Sequence, residues 1–149
     1  MLDDRDLAIL RTLRDDARAT FADIGEQVGL AASTVHERVR KLEQSGAIRG
    51  YRADVSPEAL GLFVTAMVSV MPLDPKQADD FPDRVREFPE VEACHSVAGD
   101  ENYICKVRTA TTADLEDLLR RIREKAGVQT RTTVVLSTPF ENRPVVPSH

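Results

Sequence analysis

The chain has 149 residues, of which 42% are hydrophobic, and a formal net charge of -5. This length and apolar content suffice for one ordinary domain or two small ones, whereas the negative net charge argues against a protein that coats nucleic acid through bulk attraction. The longest apolar stretch, residues 60–73, is too short to span a bilayer, and the first residues lack the basic and then apolar layout of a secretion signal. We therefore expect a cytoplasmic protein that does not enter a membrane.

Three helices are predicted before residue 46, which is enough for a small helical domain. The first covers residues 3–13, where acidic side chains at the start favour a helix N-terminus. We expect Leu7 and Leu10 to face inward in this helix, with Ile9 and Leu13 at their flanks.

The second and third helices form the most informative pattern in the sequence. Thr20-Phe21-Ala22-Asp23 has the sequence of a capping box that opens a helix, and Gly29 can supply the turn behind it. Val35, Val39 and Leu42 then recur at helical spacing and make one apolar stripe. A helix, a glycine-containing turn and a polar-faced second helix are typical of the helix-turn-helix that reads DNA. The side chains predicted to face outward are Ser33, Glu37 and Arg40.

The third helix and the residues after it carry local positive charge. Between residues 36 and 52 there are five basic side chains against two acidic ones, which is the confined basic footprint expected of a DNA reader. A solvated helix face would explain a charge cluster as well. The helix and turn that precede the cluster favour the DNA-binding interpretation.

Gly46 is well placed to end the third helix. Residues 47–55 alternate enough to predict a short strand, in the position of a wing or of a strand that pairs with a second copy. Residues 56–58 restart the chain as a short turn or helix. We therefore expect a winged helix-turn-helix domain over residues 1–52 and a linker over residues 53–61.

From residue 62 the pattern changes from helical to strand-like. The predicted β-α-β-β-α-β order makes the chain an α+β protein, with a ferredoxin-like split βαβ domain over residues 62–138 and an extended tail over residues 139–149. Pro82 fits only in the first turn of its helix, so that helix should start late, near Asp79 or Asp80. The predicted elements are a strand over 62–71, a helix over 78–88, strands over 91–98 and 103–109 around the turn at 99–102, a helix from Thr111 to Gly127, and a strand over 130–138.

In such a domain two helices cover one face of the sheet and leave the other bare. An open apolar sheet face on so small a domain needs a partner, and the simplest partner is a second copy around a two-fold axis. We therefore expect a homodimer.

Two cysteines are too few and too widely spaced for a zinc site or a CxxC redox pair. If Asp100 and Glu101 form a two-residue hairpin turn, Cys105 lies opposite Ser96 and only diagonal to Cys94, which is poor geometry for a disulfide. Two reduced, mostly buried thiols are the expected state.

Together the two halves resemble the Lrp/AsnC family of transcriptional regulators, also called feast/famine regulators. The resemblance implies an N-terminal winged helix-turn-helix and a C-terminal domain of the kind called RAM, which binds small effectors, usually amino acids, and builds dimers and often octamers. Ala31 stands where the family commonly has Ser before the recognition helix, and Asn102 stands where its effector loop often has a second Asp. The segments that match are residues 2–10, Val28-Gly29-Leu30, Ser33-Thr34-Val35, Arg38-Val39 with Leu42, Gly46-Ala47-Ile48, Gly50-Tyr51, and residues 94–100 together with Tyr103.

The outward arc of the third helix is the candidate for contact with double-stranded DNA, since arginine and hydroxyl side chains near such a helix N-terminus suit base edges in the major groove. An ordinary surface role is the alternative for each of these side chains. The candidates are Ser33, Glu37 and Arg40 for the bases, Thr34 and His36 beside them, Arg38 and Lys41 for the phosphates, and Arg49 for a phosphate near the wing.

The loop around Gly99 is the candidate effector site, with Tyr103 at its end. Backbone amides at a tight turn can hold a carboxylate, and Asp100 and Asn102 can meet an ammonium group. A turn without a ligand explains the same residues, and only the resemblance favours ligand binding.

We therefore expect a sequence-specific regulator whose assembly and DNA binding respond to a small effector, with no cofactor and no metal. An enzyme is a rival class because ferredoxin-like domains also host catalysis, but the sequence has no phosphate loop, nucleophile elbow or paired metal-ligand spacing. A stand-alone amino-acid sensor without DNA binding is the better alternative.

Overall fold

The computed structural model describes residues 2–143, apart from the side chains of Gln77-Ala78. Within this part, residues 2–54 with 142–143 form one compact unit and residues 55–141 form another. No helix among the described residues is long and apolar enough to cross a membrane. The helices and strands are α1 (Asp4–Asp15), α2 (Phe21–Val28), α3 (Ala32–Gln44), β1 (Val64–Pro72), α4 (Phe81–Val85), β2 (Val91–Ser96), β3 (Tyr103–Thr109), α5 (Thr112–Ala126) and β4 (Val128–Val135).

Helices α1 and α2 both begin at a capping box. The side chain of Asp3 accepts from the backbone N–H of Asp6, and that of Thr20 accepts from Asp23, with the reciprocal bond present in each case. Gly29 ends α2 in the left-handed conformation, at φ 68°. The helix-turn-helix predicted from the sequence is therefore present. The buried core of this unit consists of Ile9, Leu13, Ile24, Val28, Val35, Val39 and Leu42.

The inward face of α1 differs from the prediction. Ile9 and Leu13 are buried, whereas Leu7 and Leu10 are only half-buried. Both pairs have helical spacing, so spacing alone does not choose between them, and packing against α2 and α3 selects the first. The second pair instead lines an open groove of about 570 Å³ beside residues 47–52.

Residues 47–55 are not a strand, which corrects the prediction. Gly46 follows α3 at φ 76°, as expected of a helix C-terminal glycine. The residues after it run without helix or ladder pairing in the described chain, because a strand requires a hydrogen-bonded neighbour and alternation alone does not supply one. The chain then makes a 3-10 turn at Glu58–Leu60.

The second unit is a four-stranded antiparallel sheet with the order β2-β3-β1-β4. This order and the β-α-β-β-α-β sequence confirm the ferredoxin-like fold. Alternate residues of the central strands face the helices and are buried, as the period of a strand requires. Each large side chain buried there contributes about 1.5 to 3 kcal/mol relative to an exposed position. The core includes Ala66, Val68, Val70, Phe81, Val85, Cys105, Val107, Leu115, Leu118 and Ile122.

The helix predicted over residues 78–88 is shorter in the structure. A 3-10 turn occupies Pro75–Asp80, and α4 begins at Phe81 with Pro82 in its first turn, where the missing N–H of proline costs no helical hydrogen bond. The side chain of Ala78, at the predicted start of this helix, lies outside the described residues. At the other end of the unit, β4 begins directly after Gly127, two residues earlier than predicted, and ends at Val135.

The register of the β2–β3 hairpin also corrects the prediction. Cys94 lies directly opposite Cys105, and Ser96 lies opposite Tyr103. The backbone N–H of Val97 donates to the carbonyl of Asn102 at 3.1 Å. The loop between these two residues therefore has four residues, 98–101, rather than the predicted two. The longer loop moves β2 relative to the predicted register.

The sheet face opposite the helices is not the purely apolar surface that the sequence suggested. Lys106 and Arg108 on β3 both pair with Glu92 and Glu141, and Arg108 donates to the hydroxyl of Thr65 at 2.9 Å. Burial opposes the charged form of Glu92, but hydrogen bonds from Arg108 and Lys106 outweigh it and lower the pKa of this carboxyl. The open face thus carries an ionic network beside its apolar side chains.

Candidate DNA-binding face and effector loop

Helix α3 presents a continuous polar face. Its apolar stripe lies in the core of the first unit, and this fixes the opposite side chains toward solvent. The candidate DNA-binding side chains that the structure leaves exposed are Ser33, Thr34, His36, Glu37, Arg40, Lys41 and, beyond the helix, Arg49.

Arg40 pairs with Glu37 one turn earlier in α3. Nη2 of Arg40 lies 3.0 Å from Oε2 of Glu37, and the two side chains are 52% and 55% exposed. An ion pair this exposed contributes only about 0 to 1 kcal/mol. Arg40 can therefore exchange its partner for a base or a phosphate at small cost.

Arg38 differs from the predicted phosphate contact. Its Nη1 lies 2.7 Å from Asp3 Oδ2 and 2.8 Å from Asp6 Oδ1, and its side chain is half-buried. The hydrogen bonds that Arg38 donates to these two carboxylates raise the pKa of the arginine. Because both carboxylates belong to the start of α1, Arg38 ties α3 to α1, and its contact with a DNA phosphate stays a prediction.

The carboxyl group of Asp3 should make the stability of this unit sensitive to acid. The backbone N–H of Asp6, followed by the guanidinium of Arg38, lowers the pKa of Asp3. A carboxyl group whose pKa is lowered by folding contributes its full stabilisation when the pH is above the usual aspartate pKa of about 3.9. This stabilisation is lost as the pH falls through the lowered pKa. We expect Asp3→Asn, which keeps an N-cap side chain, to flatten the decline of unfolding free energy below about pH 4. Urea unfolding followed by circular dichroism across this range measures the slope.

Asp4→Asn is the matched control, since Asp4 is the exposed first residue of α1 and makes neither the cap nor the Arg38 contact among the bonds described. Equal slopes for the wild-type chain and Asp3→Asn would contradict the assigned role of this carboxyl.

Helix α3 begins without a side-chain cap. Its N-cap residue Ala31 has extended backbone angles, φ -66° and ψ 147°, but no side chain that accepts a hydrogen bond, and Ser33 does not replace it. The first backbone N–H groups of α3 thus lack the partner that a Ser would supply.

We expect Ala31→Ser to raise the free energy of unfolding by about 0.5 to 1 kcal/mol, because the backbone angles already suit a capping serine. Chemical denaturation measures this gain. Ala32→Ser, one residue inside the helix, is the control and should give no gain. A destabilised Ala31→Ser variant would show that the start of α3 cannot accept a cap.

Gly25 is a residue whose importance the sequence reading missed. It is buried in α2, and a Cβ atom at this position would lie 2.4 Å from the carbonyl oxygen of Leu30. The backbone N–H of Leu30 also donates to the carbonyl of Gly25 at 2.9 Å. Glycine therefore permits the close approach between α2 and the turn before α3. A glycine inside an otherwise helical pattern was the available signal.

His36 and Arg49 have local contacts that the sequence did not predict. The ring of His36 packs against Phe21 at the start of α2, with centroids 5.1 Å apart. Arg49 lies on the rim of the groove beside α1 rather than on a strand. The hydroxyl of Tyr51 donates to Glu43 at 2.9 Å, which holds the chain after α3 against that helix.

In the effector loop, the structure separates exposed from buried candidates. Gly99, Asp100 and Asn102 are exposed, whereas Glu101 is half-buried and pairs with Arg131 of β4. The backbone of Asn102 is engaged at both ends, since its N–H donates to Val70 and its carbonyl accepts from Val97. These hydrogen bonds fix the backbone of the loop, and the side chains of Asp100 and Asn102 are exposed to solvent.

Tyr103 does not lie at the loop surface, which corrects its place among the effector candidates. Its side chain faces the helices, is buried, and lies with its ring centroid 5.1 Å from that of Phe81. Burial raises the pKa of its hydroxyl. Position 103 begins β3, where strand alternation directs the side chain into the core. Among the described residues, no group of three His, Cys, Asp or Glu side chains is placed to hold a metal ion.

Comparison with known proteins extends over both units. The profile of the Lrp/AsnC ligand binding domain matches residues 64–145, and that of a winged helix-turn-helix DNA-binding domain matches residues 2–49. The chain is 47% identical over 146 residues to the HTH-type transcriptional regulator LrpA of Mycobacterium tuberculosis, covering 98% of this chain and 97% of that protein. It is 34% identical over 139 residues to the leucine-responsive regulatory protein of Haemophilus influenzae, covering 91% of this chain and 84% of that protein.

Solved structures show the same likeness. A feast or famine regulatory protein from M. tuberculosis, complexed with L-methionine, matches with a TM-score of 0.96 at 46% identity and covers 99% of this chain and 100% of that one. AsnC of E. coli matches with a TM-score of 0.91 at 30% identity, over 99% of both chains.

Proposed function

The chain belongs to the Lrp/AsnC family of transcriptional regulators, and on that premise we propose that it reads DNA through α3 and responds to an amino acid at the loop around Gly99. The observation that carries the DNA proposal is the exposed polar face of α3, because its apolar side and the Arg38 contacts fix which side chains project outward. Residues 1–52 would bind DNA, residues 53–61 would be the linker, and residues 62–138 would bind the effector. With chromosomal DNA as its partner, the protein would act in the cytoplasm.

In the proposed interface, α3 lies in the major groove. Ser33, Glu37 and Arg40 face the base edges, where the guanidinium can bond to two acceptors of a guanine. Lys41 is positioned toward the backbone phosphates, and Arg49 reaches a phosphate from beyond the helix. Thr34 and His36 flank the bases, and the contact between His36 and Phe21 sets the angle of the imidazole.

Fluorescence anisotropy with genomic DNA fragments recovered by footprinting tests the DNA proposal on the full chain. We expect one class of fragments to bind much more tightly than shuffled sequence of the same length, with an affinity that falls as salt rises. Equal binding to all fragments would reject sequence-specific reading, and absence of binding would favour the stand-alone sensor.

The effector proposal rests on the firmly held loop and on the methionine complex of a 46% identical protein. Asp100 and Asn102 would meet the ammonium group, and backbone amides near Gly99 would meet the carboxylate. Because Tyr103 points into the core, it would position the loop rather than touch the ligand.

Isothermal titration across the twenty common amino acids tests this site. We expect at least one to bind the wild-type chain and to lose affinity in Asp100→Asn, since the variant removes the charge that faces the ammonium group. Asp83→Asn, an exposed change on α4, is the control and should bind normally. Silence from all twenty would reject the proposal.

We further propose that the regulator acts as an assembly of dimers that the effector rearranges. The second unit exposes large apolar side chains, with Phe63 70% and Leu136 96% exposed, and surfaces of this kind favour association. An effector that binds two assemblies with different affinity shifts the balance between them and alters the spacing of the paired DNA-binding units. Light scattering and footprints that both stay unchanged at saturating amino acid would exclude this coupling.

A further inference from the structure

The two cysteines of the chain face each other across one hairpin. Cys94 of β2 lies directly opposite Cys105 of β3 in the antiparallel register. Partners opposite each other in a sheet project from the same face, and in this sheet that is the face covered by the helices, where Cys105 lies. Both thiols are free.

The backbone shows which kind of cross-strand pair this is. The N–H of Arg108 donates to Glu90 on the β2 side at 2.9 Å, and successive residues of a strand point their N–H groups to alternate sides. Cys105, three residues earlier, therefore directs its backbone N–H and C=O groups toward β1 and away from β2. Cys94 and Cys105 thus form a non-hydrogen-bonded pair across the hairpin. The Cα atoms of such pairs are about 4.5 Å apart, which lies within the span of about 4.4 to 6.8 Å that a disulfide bridges.

The two thiols differ in access. Cys94 is half-buried on β2, which is an edge strand of the sheet, whereas Cys105 is fully buried. Burial and the neighbouring Cys94 raise the pKa of the Cys105 thiol, which keeps it protonated. An oxidant from solution thus meets Cys94 first, and Cys105 is the neighbour placed to complete the reaction.

We propose that Cys94 and Cys105 are a modification site at which a hydroperoxide forms an intrachain disulfide across the β2–β3 hairpin. The Cys94 thiol loses its proton and the thiolate attacks one peroxide oxygen, so that an S–O bond forms and the O–O bond breaks. The departing hydroxide or alkoxide takes up the released proton and leaves as water or an alcohol. The sulfur of Cys105 then attacks that of Cys94, the S–O bond breaks, and the thiol proton leaves with the hydroxide as water. The two thiols lose two electrons, and these reduce the peroxide.

The bond would close the hairpin directly below the effector loop. Cys94 lies three residues before Val97 and Cys105 lies three residues after Asn102, the pair whose hydrogen bond ends the hairpin. A covalent link at this position reduces the freedom of the edge strand and of the loop that it carries. The part of the inference that concerns effector affinity rests on the proposed function of this loop, whereas the disulfide itself does not.

Intact mass analysis of the full chain after treatment with hydrogen peroxide, followed by alkylation under denaturing conditions, tests the proposal. We expect a monomer that has lost two hydrogen atoms and resists alkylation, a cross-linked peptide pair containing residues 94 and 105, and full reversal by a dithiol reductant. Cys94→Ser and Cys105→Ala should each prevent the loss of two hydrogens. Three results would each overturn the proposal. They are alkylation of both thiols, addition of oxygen to Cys94 while Cys105 remains a thiol, and formation of a covalent dimer.

A second measurement addresses regulation. The amino acid that binds the reduced chain by titration should bind the oxidised chain with an affinity altered by about fivefold or more. Equal affinities with the disulfide present would overturn the regulatory role and leave the modification site standing. A reduced chain that binds no amino acid would instead overturn the proposed effector function, and the mass analysis would still decide the disulfide.

Discussion

Replacing Arg40 by alanine should weaken binding to a cognate DNA site by about 1 to 3 kcal/mol, or roughly five- to 150-fold in Kd. The guanidinium of Arg40 is exposed on the outer face of α3 and forms an exposed ion pair with Glu37, so it can bond to two acceptors on a base edge. Nonspecific DNA offers no such base contact at a fixed position, and binding to it should fall less. Anisotropy titrations on cognate and shuffled duplexes at one salt concentration measure both losses.

Lys41→Ala is the matched control, because Lys41 is the exposed neighbour whose proposed contact is a phosphate. It should weaken all duplexes alike and reduce the slope of log affinity against log salt by about one. If Arg40→Ala and Lys41→Ala gave equal losses on every sequence, the separate roles of the two side chains would be wrong.

Gly25→Ala should destabilise the first unit and sharply reduce specific DNA binding. The added methyl group would lie 2.4 Å from the carbonyl oxygen of Leu30, a backbone atom that cannot rotate away as a side chain would. Overpacking of this kind costs about 1 to 3 kcal/mol, which the better helix propensity of alanine offsets by only about 1 kcal/mol. To relieve the clash, the turn must move away from α2 and carry α3 with it. Chemical denaturation and anisotropy on the cognate duplex measure the two effects.

Glu26→Ala, an exposed change at the next position of α2, should leave both quantities near the wild-type values. Gly99→Ala tests whether glycine replacement is harmful in general, since a Cβ atom there would meet its nearest neighbour at an ordinary 3.7 Å. A fully stable Gly25→Ala variant that binds DNA normally would show that α2 and the turn can separate without consequence for α3.

Most of the fold was predictable because its signals are local. The apolar stripe of α3, the capping box at Thr20, and the β-α-β-β-α-β order all follow from helix or strand periods and from capping and turn residues within a few positions. These features also set which side of α3 faces outward. The outward face of the candidate DNA-binding helix therefore followed from the sequence.

The features that the sequence did not predict depend on contacts between distant residues. Arg38 has the spacing of a phosphate-binding side chain, and its ion pairs with Asp3 and Asp6 depend on where the start of α1 lies. The pairing of Cys94 with Cys105 depends on the true length of the hairpin loop, and the burial of Tyr103 depends on its packing against Phe81. The strand predicted over residues 47–55 had the right alternation, but alternation cannot supply a hydrogen-bonding neighbour.

The pair between Glu37 and Arg40 also bears on how such a protein avoids unproductive encounters. If α3 reads DNA as proposed, the carboxylate would repel nearby phosphates on a random duplex and shield the guanidinium, so few condensed counterions would be released at that point and little affinity would be gained. A base that offers two well-placed acceptors would compensate for the separation of the pair more fully than a single contact with a phosphate. Under the proposed role of α3, the glutamate would therefore lower residence on irrelevant chromosomal sites at a modest expense in the affinity for the correct one.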